Sequence, residues 1–463
     1  MACTEFKIIA QTYDQIEVSF TVKWNPSAGR NVIPLYIDKR YIVLRGNSGI
    51  YTYAIFEHLA GWSALNIDRA RLAFKLDKKW FRYLAISDER RLSPLVVQVD
   101  DKYQYSSDNK DSHVHGWISS GPHIFFSNHY AGLGFGVFLQ NKEPWKKMFG
   151  SIFVYHNSDA ATQPITLWQD AKRQTAAEIL KWPYEFSLSL DFPHSRQRGS
   201  VQGRLFVHDV GPTKPERSAY VVFAPPGAAG SWQDTYKLNK RTVFIRAINS
   251  GQRPVKMGAS QYRAGIYNLY ASVPGIIGDF KHNVYIIIKP GSVIQIGNLV
   301  YNSPRNGPTL WEIGIPDRTG SEFYVPDPAP GLVNKLYIST QKKTFNNVYV
   351  PTTWQIKFYL KTVSRGIYTL RIDLVAAHNA QLQVWINEAN AGVKPHFTTG
   401  RIGRENAIAR HGIHARYWLF SANVAGSLLV TNRVNTIYIK QFNVGTPFPS
   451  VIYDYIRLEA PST

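Results

Sequence analysis

Short apolar runs in which every second residue is polar, each cut off by Gly, Asn, Asp or Pro, recur along this chain and constrain its fold more than any other feature. Ile16, Val18, Phe20, Val22 and Trp24 alternate with other residues in this way. A period of two places one set of side chains on one face, so the run predicts a half-buried strand with its apolar set inward. Comparable runs fall at 71–76, 284–288, 369–375 and 436–440. Closely spaced strands with turn residues between them indicate antiparallel sandwiches and argue against alternating strand and helix units. The one convincing helical stretch is 167–182, rich in Ala, Gln, Lys and Glu and stopped by Pro183.

Length sets how many such units there are. At about 150 residues per domain, 463 residues make room for three, and 44% hydrophobic content gives each a core and excludes a disordered chain. Two polar, Pro-containing stretches divide them: Asp191-Phe192-Pro193-His194-Ser195-Arg196 and Asn302-Ser303-Pro304-Arg305-Asn306-Gly307-Pro308. The expected domains are therefore 1–190, 197–301 and 307–463. No fixed-period repeat marks a propeller or solenoid. The single cysteine, Cys3, excludes an intrachain disulfide framework and a cysteine-based zinc ribbon. No apolar run approaches a membrane span, and the first residues lack the pattern of a signal peptide.

Charge narrows the partners. With 53 Lys and Arg against 32 Asp and Glu, a balance of +21, the chain suits a polyanion. Nucleic acid, an anionic membrane and an acidic polysaccharide all qualify by charge. The cations are scattered, however, and no nucleic-acid-binding signature accompanies them. Twelve Trp and 27 Tyr interleaved with Lys and Arg suit a carbohydrate, whose ring faces stack on aromatics and whose carboxylates meet cations.

Chemistry-bearing clusters each have an ordinary structural reading beside the functional one. His113-Val114-His115 puts two imidazoles on one strand face, yet no third ligand is recognisable, so no metal site is expected. Gly46-Asn47-Ser48-Gly49 and Gly132-Leu133-Gly134-Phe135-Gly136 do not continue into a phosphate loop and read as turns or strand bends. In Asp100-Asp101-Lys102-Tyr103-Gln104-Tyr105 the lysine is either salt-bridged or a partly desolvated base. His129 reads by default as a hydrogen-bonded core histidine. Arg71 and Lys75, an even number of residues apart on one strand, share a face that either lines a carboxylate-binding cleft or meets solvent.

Four motifs bear on these alternatives. Val99-Asp100-Asp101-Lys102-Tyr103-Gln104-Tyr105, His115-Gly116-Trp117-Ile118, His129-Tyr130-Ala131-Gly132 and Glu143-Pro144-Trp145-Lys146-Lys147 resemble the catalytic domain of plant rhamnogalacturonan lyases, polysaccharide lyase family 4. Gly307-Pro308-Thr309-Leu310-Trp311-Glu312-Ile313-Gly314, Arg401-Ile402-Gly403-Arg404 and Tyr453-Asp454-Tyr455-Ile456-Arg457-Leu458-Glu459 resemble its C-terminal domain. The resemblance implies an all-β chain: an N-terminal catalytic β-sandwich, a fibronectin type III-like middle domain and a C-terminal jelly-roll resembling a carbohydrate-binding module. It also implies β-elimination across the rhamnose-α-1,4-galacturonate bond of rhamnogalacturonan I. Lys102 matches the catalytic base, His129 the acid, and Arg71 the arginine that grips the galacturonate carboxylate. Lys75 is a second cation for it. No cofactor is implied, the partner is an acidic polysaccharide and not nucleic acid or membrane, and the enzyme is expected to act as a monomer in the extracellular cell wall.

The sequence also departs from the family pattern. It begins inside the usual sandwich, lacks a Gly-Gly-Pro segment between the lysine and histidine motifs, and runs almost directly from Asn334-Lys335-Leu336-Tyr337 to Pro351-Thr352-Thr353-Trp354. These read as missing segments. Lost strands would expose sheet edges and displace Lys102 from His129, so a homologue that binds polysaccharide without cleaving it is the alternative. Trp354, Trp385 and Trp418 are its candidate stacking platforms, with core packing as the plain reading of each.

Overall fold

The computed structural model describes residues 3–25, 27, 33–67, 71–75, 84–85, 91–92, 123–127, 137–158, 163–209, 214–215, 218–233, 244–249, 259–318, 344–345, 348–349, 353–389, 392–404, 417–443 and 450–462, with the backbone alone across 71–127. Among the described residues the fold is all-β apart from one long helix and short turns of helix.

Five strands, Glu5–Gln11, Gln15–Lys23, Tyr36–Leu44, Gly49–His58 and Trp145–Tyr155, make the first sheet, antiparallel throughout. In Gln15–Lys23 both faces are partly covered, and of the expected inward set Val22 is buried, at 6% exposed. The other buried residues include Glu17, Ser19 and Thr21, whereas Ile16 is 47% exposed. The polar face is covered because its charges are fully engaged. Glu17 accepts from Arg40 Nη1, the Tyr53 hydroxyl and the Leu188 N–H, each at 3.0 Å. Asp38 accepts from the Ser19 hydroxyl at 2.5 Å and Arg40 Nε at 2.7 Å. A buried carboxylate with this many donors meets the condition for burying charge.

The segment covering that face includes 191–196, expected to be a free linker. It is a tied strap instead. Phe192 is 1% exposed against Tyr53 and Tyr184, and His194 Nε2 lies 2.7 Å from the Ser187 carbonyl. Apolar packing and backbone bonds outweigh the local turn signals of Pro193 and Ser195. The helix Pro164–Lys181 agrees with the sequence signals, starting on a proline and ending before Pro183. It supplies Glu178, whose carboxylate oxygens each accept from the Tyr51 hydroxyl at 3.1 Å.

A second core lies between two sheets. Arg198–His208 pairs antiparallel with Ala259–Arg263 and parallel with Val293–Asn302. Ser218–Ala224 runs between Phe244–Asn249 and Gly265–Ser272. Val201, Leu205, Val221, Leu269 and Ile288 fill the space between them.

In the C-terminal region the 20-residue strand Ile367–Ile386 is the spine. Its first half pairs with Trp418–Ala425 and Ser450–Glu459, its second with Arg433–Asn443. Thr353–Leu360 adds outside Arg433–Asn443, and Thr309–Gly314 outside Ser450–Glu459. One strand serving two sets of partners draws the core together, and Leu370, Ile372, Leu374, Leu382 and Leu458 are all 0% exposed. The stretch 302–308 is anchored on both sides. Arg305 forks onto Asp209 at 3.0 and 2.9 Å, while the Asn306 N–H donates to Glu459, itself paired with Arg371.

Candidate functional site

The catalytic candidates all fall in residues 68–136, and the chain closes the ends of that excursion with a stem. Leu65–Ile67 pairs with Val137–Leu139, Ile67 opposite Val137. Leu65, Ile67, Val137 and Leu139 are at most 8% exposed and pack on Val22 and Ile37 of the first sheet and on Leu35 just before its third strand. Alternating apolar residues on both arms explain why this stem forms, since every inward position buries Leu, Ile or Val.

A second pairing is nested inside the first. Arg71–Lys75, the strand expected from the sequence, runs antiparallel to His123–Ser127, with Arg71 opposite Ser127 and Lys75 opposite His123. His129 follows Ser127 by two residues in the chain. Arg71 and the approach to His129 are thus brought together across a sequence gap of more than fifty residues. Lys102, His129, Asp100, Asp101 and the pair His113 and His115 lie outside the described residues.

Two lysines border the site on Trp145–Tyr155 and show how neighbours set a cation's chemistry. Lys146 bonds Asp191 at 3.1 Å and Glu57 at 3.5 Å; desolvation works against its charge, but these carboxylates prevail and hold its pKa above the ordinary value. Lys147 projects from the other face, opposite Phe56, with its Nζ 5.3 Å from the Phe149 ring centre. Burial, and then the nearby Arg263 guanidinium, push its pKa down to about 8. That face also packs on the stem, through Phe56 and Trp145. A lysine with this pKa exchanges protons near neutrality, as a general base must. The motif that includes Lys147 was visible in the sequence, but its desolvation was not. The available signal was a lysine at an apolar position of the Trp145-Lys146-Lys147-Met148-Phe149 alternation.

His58 is structural. Its Nδ1 lies 2.6 Å from the Glu143 carbonyl and its Nε2 2.8 Å from the Ser63 carbonyl, so both nitrogens are committed to the backbone beside the stem. Among the described residues, no group of three His, Cys, Asp or Glu could hold a metal ion. No helix there is long and apolar enough to cross a membrane.

The three candidate platforms in the C-terminal region separate. Trp418 pairs with Leu374 and stacks on Phe420 at 6.1 Å, on the core side. Trp354 sits opposite the buried Ile439 near a strand end, 50% exposed, against Tyr453. Trp385 alternates with the buried Val384 and Ile386 and so belongs to the outer face, its Nε1 donating to the Val393 carbonyl at 2.9 Å.

The architecture is that of an all-β protein of several sheets, and comparison with known families identifies it further. The rhamnogalacturonate lyase family matches residues 1–108, and a carbohydrate-binding-module-like family, domain III of polysaccharide lyase family 4, matches residues 309–458. The chain belongs to polysaccharide lyase family 4, the rhamnogalacturonate lyases. The first match includes Arg71, Lys75 and Lys102 and stops short of His129. No curated protein matches the chain.

Proposed function

We infer that the protein is a rhamnogalacturonan endolyase that cleaves the rhamnose-α-1,4-galacturonate bond of rhamnogalacturonan I in the extracellular plant cell wall. Its three units are the catalytic sandwich at 1–190, the fibronectin type III-like spacer at 197–301 and the jelly-roll at 307–463. The observation that carries the reading is the nested pairing over a buried stem, which draws Arg71–Lys75, inside the matched lyase region, against His123–Ser127, beyond its end.

In this reading Lys102 removes the C5 proton of galacturonate, which is acidified by the adjacent carboxylate. The electron pair forms the C4–C5 double bond as the C4–O bond breaks, and His129 gives its proton to the departing rhamnosyl oxygen. Arg71, with Lys75, neutralises the carboxylate on which charge develops; a guanidinium stays charged at any working pH and can bind both carboxylate oxygens. Lys102 must be neutral to act, against an ordinary pKa of about 10.4. Burial or cationic neighbours would have to lower it against the pull of Asp100 and Asp101, as burial first, and then Arg263, lower that of Lys147.

Incubation with rhamnogalacturonan I should raise ultraviolet absorbance through the new unsaturated uronate. Lys102→Ala and His129→Ala should each reduce that rate by at least about a hundredfold, the usual size of an acid or base contribution, with the thermal transition unchanged. A folded Lys102→Ala variant of near-parental activity would remove the assignment. Retained polysaccharide binding with no absorbance gain in the parent would favour a binding homologue.

A further inference from the structure

The outer face of the C-terminal sheet carries a second array of sugar-compatible groups, far in sequence from the excursion that holds the catalytic candidates. Three strands lie side by side there: Thr353–Leu360, Arg433–Asn443 and the second half of Ile367–Ile386. Their inward positions, including Leu382, Val384, Ile437 and Ile439, fill the core at 0 to 1% exposure. Alternation therefore sends the intervening residues outward. In register, Trp385, Tyr438 and Gln355 form one row across the sheet, and Gln383, Lys440 and Thr353 the next. Lys357 lies one step beyond Gln355 on the same face, opposite Thr436.

Two properties make this more than an ordinary solvated face. Aromatic rings are held in place at its centre: the Trp385 indole is fixed by its bond to the Val393 carbonyl, with Tyr438 as its cross-strand neighbour. Charge is one-sided as well. Residues 353–361, 379–386, 394–404 and 433–443 hold Lys357, Lys361, Lys394, Arg401, Arg404, Arg433 and Lys440, and no Asp or Glu. The nearest carboxylates along the chain are Glu405, directly after Arg404, and Glu388, two residues after Ile386. Ring faces take sugar faces, amide side chains take hydroxyls, and unopposed cations take carboxylates.

We propose that this face binds an acidic glycan chain, with Trp385 and Tyr438 as the stacking platform, Lys357 and Lys440 as carboxylate partners, and Gln355 and Gln383 as hydroxyl partners. The inference rests on the reading of the protein as one that acts on acidic polysaccharide, and it is independent of whether elimination occurs. Its consequence is retention. A chain held at the C-terminal sheet keeps the enzyme on a long polymer between encounters at the catalytic site, which raises the effective concentration of cleavable bonds.

The test uses the full chain and affinity electrophoresis in gels containing polygalacturonate. The parent should be retarded, and the retardation should fall as salt rises. Lys357→Gln combined with Lys440→Gln removes two half-exposed or exposed cations without touching the core, and should weaken binding about tenfold. Tyr438→Ala should weaken it further while leaving the salt dependence in place. Unsaturated-product formation from short soluble rhamnogalacturonan oligosaccharides, which do not need the second face, should be unchanged in the double lysine variant. Equal retardation of the parent and both variants would overturn the proposal, as would equal retardation in a neutral glucan gel or a preference for duplex DNA over polygalacturonate. A parent that is retarded but yields no unsaturated product leaves this face standing and removes the lyase reading instead.

Discussion

The two junctions between the three cores handle buried charge in opposite ways. Where the second core meets the third, the buried arginine has a counterpart. Arg318 Nη2 bonds Asp279 at 2.9 Å and lies over the Tyr417 ring at 4.2 Å, while its backbone N–H donates to both oxygens of Asp454 at 3.0 Å. The Tyr417 hydroxyl donates to Asp373 and accepts from the Gly278 N–H, and the Tyr417 N–H donates to Gln233. Where the first core meets the second, cations face cations. Arg198, 2% exposed, is held by the carbonyls of Pro193 and Gln261 and by the Trp182 ring, with its Nη2 bonded to nothing. Burial first, and then Arg263, push its pKa down to about 10. The contrast teaches that the same residue type locks one junction and burdens the other, according to what it is buried beside.

The largest effect should come from the paired junction. Arg318→Met removes a buried cation from Asp279 and leaves that carboxylate with only the Trp232 and Gln233 donors. Breaking one partner of a buried pair costs about 3–5 kcal/mol, read as a fall in the denaturant midpoint. A loss below about 1 kcal/mol would mean that the charge at this junction is shared with solvent, and the contrast between the junctions would collapse.

Asp373 sharpens the same junction through pH. Burial, with Asp454 adding to it, pushes its pKa up to about 7, and one of its oxygens has no hydrogen-bond partner. The unfolded value is about 3.9. A raised folded pKa means that the folded state holds the proton more tightly. The contribution is therefore fully present below about pH 4 and is lost as pH rises towards 7, by on the order of 4 kcal/mol at most. Unfolding midpoints at pH 4.5, 6 and 8 should converge on those of Asp373→Asn at acid pH and fall below them at pH 8. Parallel curves for the two proteins would show that the carboxyl titrates normally.

Strand periodicity made the class of fold legible and located Arg71–Lys75, and composition with the stop at Pro183 placed a helix at 167–182 that runs over Pro164–Lys181, whereas Trp385, whose plain reading was core packing, lies on the outer face. Periodicity held only in part on Gln15–Lys23, where a rule that sends apolar residues inward cannot see that Arg40, Tyr53 and Leu188 will converge on Glu17. The nested pairing at the candidate site was illegible for a different reason. Its strands are separated by more than forty residues, and nothing local to Arg71 names His123–Ser127 as its partner. The cationic junction was likewise hidden, because Lys147, Arg198 and Arg263 come from three separate strands.

The smallest effect tests that junction and ties it to the site. Lys147 has its pKa pushed down to about 8, chiefly by burial, against about 10.4 unfolded. A depressed lysine pKa means that the fold carries its charge at a cost, full below pH 8 and fading as pH rises towards 10.4. Lys147→Met keeps the length and apolar contacts of the side chain and drops the charge, so it should raise stability by up to about 3 kcal/mol at pH 7 and by less than about 1 kcal/mol at pH 10. A loss of stability at pH 7 would show that the ammonium is well solvated or well bonded, and the two junctions would no longer differ in kind. If instead the variant is more stable but releases less unsaturated product, the strain at Lys147 is retained for the reaction. Natural proteins commonly hold such destabilised groups at active sites, where stability and activity trade against each other.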